Sequence, residues 1–140
     1  MAKHSATISR PIGVVFAFVA DGENARQWRP GVLDVSRQSG EGLGAIYRQG
    51  VKGPGGRRIA ADSEVTAFEP DRRIAFRAIA GPVRPTGEYR FAPAGEGTTV
   101  SLALDATLTG WKSLVMGRAV QSTMLAEVRN LDTLKAILES

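Results

Sequence analysis

The side chains able to do chemistry in this sequence are few, and the sharpest of them lies among apolar neighbours. When residues are placed about 100° apart around a helix, Glu127 falls inside a stripe made by Met116, Val120, Met124, Val128, Leu131, Leu134, Ile137 and Leu138. A carboxylate in such a stripe is costly unless it is paired or protonated. Two readings follow. Glu127 is either the polar end of a pocket, acting as hydrogen-bond acceptor or general base, or it leans sideways to meet an arginine at the stripe's edge. Tyr89 is the second candidate for catalysis: a buried phenol needs a partner, and a ligand carbonyl or hydroxyl would serve.

Around these stand residues suited to holding an apolar ligand, each with core packing as its plain alternative. Trp28 would supply a flat wall at a pocket mouth, or anchor a short helix. Trp111 would close the opposite end, or staple the Thr109-Gly110 corner. Tyr47, Phe76, Tyr89 and Phe91 point inward if strand alternation holds. Met116, Val120 and Met124 lie on one helix face, and methionine adapts its shape to varied neighbours.

Other chemistry is excluded by residue type. Cysteine is absent and histidine occurs once, at His4. Thiolate nucleophiles, disulfides, imidazole-rich metal sites and a serine-histidine-aspartate triad therefore fall away. Only an all-oxygen metal site stays chemically open; neither metal nor cofactor is expected. His4 precedes the expected first strand and is assigned no role. Gly40-Glu41-Gly42-Leu43-Gly44 resembles a nucleotide-binding loop, but it joins two strands, and no helix follows to face a phosphate.

The length of 140 residues with 43% hydrophobic and 23% charged residues fits one globular domain, residues 1–140. A net charge of +4 and a pI near 10 invite a polyanion partner. The basic residues are dispersed, however, with Arg57-Arg58 and Arg72-Arg73 as the only adjacent pairs, so no nucleic acid is expected. No apolar run of about 18 residues exists to span a bilayer, nor an apolar leader at Met1–Thr7. The expectation is a cytoplasmic protein, monomer or homodimer, without integral membrane association.

These side chains must be positioned by an α+β arrangement. Ala6–Ser9 reads as a strand, Pro11 as the first turn of a helix capped by Ser9 or Arg10, and Ile12, Val15, Phe16 and Val19 as its apolar face. Asp21 caps a second short helix that ends at Trp28, before Arg29-Pro30-Gly31. Six strands follow over residues 32–38, 45–52, 57–68, 73–80, 86–92 and 98–108, joined by connections short enough for antiparallel neighbours. Glu64, Arg77, Glu88 and Arg90 fall on the outer face, where they pair across strands. Lys112–Glu139 reads as one helix of roughly 40 Å. Ala61, Ser63, Ala67, Ala78, Gly87 and Ala106 are small and face inward, which argues for a cavity beneath that helix.

The opening segment, with its Pro-initiated helix, Asp21-Gly22-Glu23-Asn24 break, Trp28 two residues before Pro30, and Val32 and Val35, resembles the polyketide cyclase/dehydrase and lipid-transport superfamily. So does Gly87-Glu88-Tyr89-Arg90-Phe91 followed by Gly97-Thr98-Thr99-Val100, and the likeness runs over roughly residues 4–138. The resemblance implies a helix-grip fold, in which a curved seven-stranded antiparallel sheet wraps around a long C-terminal helix, with two short helices after the first strand and a hydrophobic tunnel between sheet and helix. START-type and birch-pollen-allergen-like proteins share it. It further implies binding or carriage of a lipid-like, aromatic or polyketide-like molecule, or a cyclase, dehydrase or aromatase activity in the same cavity. A third possibility is an interaction domain that uses the sheet edge or basic surface. No catalytic motif carries over residue by residue.

Overall fold

The chain begins with strand β1 (Ala2–Ile8), followed by helix α1 (Ile12–Ala20), a single 3-10 turn (Gly22–Asn24) and helix α2 (Ala25–Trp28). Strands β2 (Val32–Ser39), β3 (Ile46–Lys52), β4 (Arg58–Ala60), β5 (Ser63–Glu69), β6 (Arg73–Ala78), β7 (Thr86–Ala94) and β8 (Gly97–Asp105) come next. Helices α3 (Trp111–Val128) and α4 (Leu131–Glu139) complete the order. The computed structural model describes residues 1–81, 83–106 and 111–140, with side chains from 116 onward in the last segment. The expected strand end at Leu108, the Thr109-Gly110 corner and the Trp111 side chain lie outside the described residues.

The strands form one antiparallel sheet in the order β1-β8-β7-β6-β5-β3-β2, with β4 paired to β3 off that path. The sheet curls into a half-barrel beneath the C-terminal helices, the α+β helix-grip class expected. Eight strands stand where seven were expected, because residues 57–68 do not run as one strand. The Asp62 side chain intervenes, its Oδ1 accepting the Gln49 backbone N–H at 3.2 Å, while Ala61 N–H donates to the Gln49 carbonyl at 2.8 Å. A carboxylate thus replaces a backbone carbonyl in the ladder, and β4 separates from β5.

A second irregularity changes which side chains face inward. The β5–β6 register shifts between Val65 and Ala67, so Val65 opposes Phe76 while Ala67 opposes Ala75 and Phe68 opposes Ile74. An extra residue in one strand reverses alternation beyond it. Ala67 therefore leaves the inner face and Phe68 enters it, packing edge-on to Phe16 with centroids 5.4 Å apart.

The helical elements follow their sequence signals with small displacements. Pro11, expected inside the first turn, is the N-cap of α1, its carbonyl accepting from Val14 and Val15 N–H. The buried face is Val15, Phe16 and Val19. Asp21 accepts from Glu23 N–H at 3.1 Å and caps the 3-10 turn. At the C-terminus one continuous helix was expected; α3 and α4 are separated by a tightened turn. Asn130 N–H bonds to the Glu127 carbonyl at 3.1 Å, three residues back, and Asn130 keeps helical angles.

Helix α3 packs on β1 and β8, helix α4 on β1, β8 and α2, and helix α1 on β7 and β8. Ile8, Val15, Val100, Leu102, Val128, Leu131 and Leu134 are fully buried where these elements meet. Each contributes about 1.5–3 kcal/mol by leaving water. Strand β1 begins earlier than expected, so His4 lies within it and contacts Asp132 of α4 at 2.9 Å. On the outer face Arg77 meets Glu64 at 2.6 Å and Arg73 meets Glu88 at 2.9 Å, with Arg90 also on Glu88. Those charges are cross-strand and same-strand pairs of the sheet surface.

Candidate functional site

Arg29 owes its position to its neighbours in sequence. Trp28, 3% exposed, anchors α2 in the core. Pro30 disfavours helical angles in the residue before it, and Arg29 adopts φ −115° and ψ 94° while its N–H still closes the helix on the Ala25 carbonyl at 2.8 Å. The side chain then reaches the end of α3, where Arg29 Nε donates to Glu127 Oε1. Its Nη1 also lies 3.4 Å from Gln49 Oε1 on β3. The second Glu127 oxygen accepts from Asn130 Nδ2 at 3.3 Å. Of the two sequence readings of Glu127, the contact with an arginine is the one observed. Sequence reading did not single out Arg29 itself, since a residue before Pro-Gly reads as a helix stop; only the uncompensated charge of Glu127 pointed toward such a partner.

Tyr89 of β7 stands beside this cluster. Its ring packs edge-on against Trp28, with centroids 6.2 Å apart, and tilted against Phe76 at 5.8 Å. Burial pushes the phenol up to about 12, Arg29 opposing the rise and Glu127 adding to it. Burial also acts to lower the Arg29 guanidinium, but Glu127 and Tyr89 outweigh it and hold the charge above its ordinary value. At neutral pH the site is therefore a neutral phenol beside a charge-balanced arginine–glutamate pair. Its chemistry is donation of hydrogen bonds. Glu127 has one oxygen on Arg29 and the other on Asn130.

The apolar candidates divide into two groups. Trp28, Tyr89 and Phe76 gather beside Arg29, with Met124 buried in the same core and Val120 partly buried against it. Met116 lies farther along α3 and is half-buried. Phe91 links this group to a second one beneath α1, tilted against Tyr89 at 6.5 Å and edge-on to Phe16 at 5.1 Å. Tyr47 is apart from both: its hydroxyl accepts from Gly22 N–H at 3.4 Å, and it lines a cleft of about 270 Å³ with Phe68, Arg37 and Asp21. Another cleft, about 470 Å³, runs over Ala75 and Ala103 between Arg73, Glu88 and Asp105.

Among the described residues α3 packs mainly on β1 and β8, and the inner faces of β5 and β6 carry side chains that are only half-buried. Ser63, Val65, Phe76 and Ala78 are half-buried there, as are Val120 and Met116 of α3. Not every small inward residue leaves space. A Cβ on Gly87 would come within 2.2 Å of the tip of Phe76 and 2.8 Å of Leu104, so the Phe76 ring occupies that room.

A family model described as "Polyketide cyclase / dehydrase and lipid transport" matches residues 2–139. Among curated proteins none matches this sequence. Among solved structures, TTHA0849 from Thermus thermophilus is similar over 98% of this chain and 95% of its own, with TM-score 0.83 and 23% identity. The Zhui aromatase/cyclase from a Streptomyces species is similar over 98% and 89%, with TM-score 0.68 and 23% identity. The di-domain ARO/CYC StfQ of the steffimycin biosynthetic pathway matches 98% of this chain with TM-score 0.82 and 16% identity, and this chain spans 49% of it. Among the described residues no helix is long and apolar enough to cross a membrane.

Proposed function

From the premise that the chain belongs to the polyketide cyclase/dehydrase and lipid transport family, we propose that residues 1–140 form one unit that holds a hydrophobic small molecule against β5, β6 and α3. The observation that carries this reading is the set of half-buried apolar side chains, Val65, Phe76 and Ala78 on the inner faces of β5 and β6 and Val120 on α3. Burying ~200 Å² of ligand there would contribute about 5 kcal/mol before the cost of immobilising it. Binding rather than turnover is favoured because Glu127 is held by Arg29 and Asn130 and Tyr89 stays neutral. A cyclase, dehydrase or aromatase in the same cleft is the second reading, supported by the adjacency of Tyr89 to the Arg29–Glu127 pair.

The test is titration with N-phenyl-1-naphthylamine, an uncharged dye whose emission rises in apolar surroundings. A saturable rise with one site is expected, weakened at least tenfold by Val65→Arg, which places a charge on the cleft wall. The absence of saturable emission with the native chain would remove the reading.

A further inference from the structure

Among the described residues, Arg29 and Tyr89 hold more donors than find acceptors. A guanidinium carries five N–H groups, and Arg29 uses Nε on Glu127 and Nη1 on Gln49. The Tyr89 hydroxyl has no hydrogen-bond partner among the described residues, although the residue is only 7% exposed. Yet among those residues no fully buried side-chain nitrogen or oxygen goes unpaired. The free ends therefore open onto accessible space. They belong to one neighbourhood: Arg29 and Tyr89 act on each other's charge, Trp28, the residue before Arg29, packs on the Tyr89 ring, and Phe76 of the proposed cleft packs on that ring as well. An oxygen acceptor brought in by a ligand would complete both groups.

The charge of that acceptor is set by what already stands there. The Arg29 charge is matched by Glu127, whose side chain is 25% exposed. A carboxylate entering beside Arg29 would meet Glu127 as a like charge in a poorly hydrated place. A carbonyl oxygen takes the same two donors without that repulsion.

We infer that Arg29 and Tyr89 form a subsite for the neutral carbonyl oxygen of an apolar ligand, and that Glu127, by balancing Arg29, selects against carboxylates. This rests on the cleft proposed above. The burial that keeps Tyr89 protonated acts in the same direction.

Three shape-matched ligands test it by displacement of N-phenyl-1-naphthylamine: 2-acetylnaphthalene, 2-ethylnaphthalene and 2-naphthoate. Two net hydrogen bonds make the ketone bind about tenfold tighter than the hydrocarbon in the native protein. Tyr89→Phe lowers that ratio about three- to fivefold, and Glu127→Gln raises the affinity of 2-naphthoate relative to the ketone. The Tyr89→Phe arm keeps the test decisive if Glu127→Gln fails to fold. Equal displacement by ketone and hydrocarbon in the native protein, or a ratio unmoved in Tyr89→Phe, overturns the subsite while the cleft stands. Failure of the dye itself to bind removes both.

Discussion

The Arg29–Glu127 pair joins the end of α2 to the end of α3, and its strength is measurable by a double-mutant cycle with Arg29→Gln, Glu127→Gln and the pair of changes together. The two side chains are 18% and 25% exposed. An exposed pair is worth less than about 1 kcal/mol, whereas removing one partner of a fully buried pair costs about 3–5 kcal/mol. With about a fifth of each side chain still wet, each single change should cost ~2 kcal/mol, most of it from the charge left behind. For a domain of this size that lowers Tm by about 6–10 °C. The double variant leaves no unpaired charge, so it should lose no more than the worse single variant, giving a coupling of at least about 2 kcal/mol. Urea unfolding followed by circular dichroism at 0.1 and 1 M NaCl provides the assay, with most of the coupling surviving high salt. The exposed pair Arg58–Asp34, at 2.8 Å, serves as the control whose smaller coupling salt should erase. Single losses that add to the double within about 0.5 kcal/mol would show that the pair does not act as a unit.

Two further outcomes follow from Tyr89 and Gly87. Tyr89 should titrate at about 12 by absorbance near 295 nm, a step absent in Tyr89→Phe. The folded phenol holds its proton more tightly than the unfolded one. The associated stability is thus complete below pH ~10 and disappears between about 10 and 12, amounting to ~2–3 kcal/mol; a flat stability curve across that interval in the native chain contradicts the burial argument. Gly87→Ala must push the Phe76 ring away from β7, because the new Cβ would overlap it at 2.2 Å. We expect a loss of ~1–3 kcal/mol and weaker N-phenyl-1-naphthylamine binding as the ring swings into the cleft; unchanged stability and unchanged dye affinity together would mean that the ring does not rest on Gly87.

Much of this fold can be read from strand alternation, and the places where the reading fails have local causes. Leu102, Leu104 and Val100 on β8, and Tyr89 and Phe91 on β7, face inward as their alternation with polar residues requires. Alternation cannot register an inserted residue, so it puts Ala67 on the inner face that Phe68 in fact occupies. Nor does it register a side chain that acts as backbone, which is how Asp62 divides β4 from β5. In the site, Glu127 announced itself through the mismatch of a charge with an apolar stripe. Arg29 did not, because its partner lies 98 residues away and arginine is an ordinary surface residue. The helical wheel places Met124 and Val128 correctly in the core, but it cannot say which strands lie beneath them. That depends on the sheet order, which puts β1 and β8 under α3.

The same sheet order has a consequence for synthesis. Strand β1 is made first, yet its pairing partner is β8, Ala2 lying opposite Leu104. Helices α3 and α4, which also seat on β1, come later still. The first strand must therefore wait, unpaired, while the remaining strands leave the ribosome, and contacts so distant in sequence slow closure of the sheet. Strands β5 to β8 pair with neighbours close in sequence and can form a meander meanwhile. Nascent chains halted before residue 97 would accordingly present β7 as an open edge, and chaperone contact should fall when β8 and β1 finally meet.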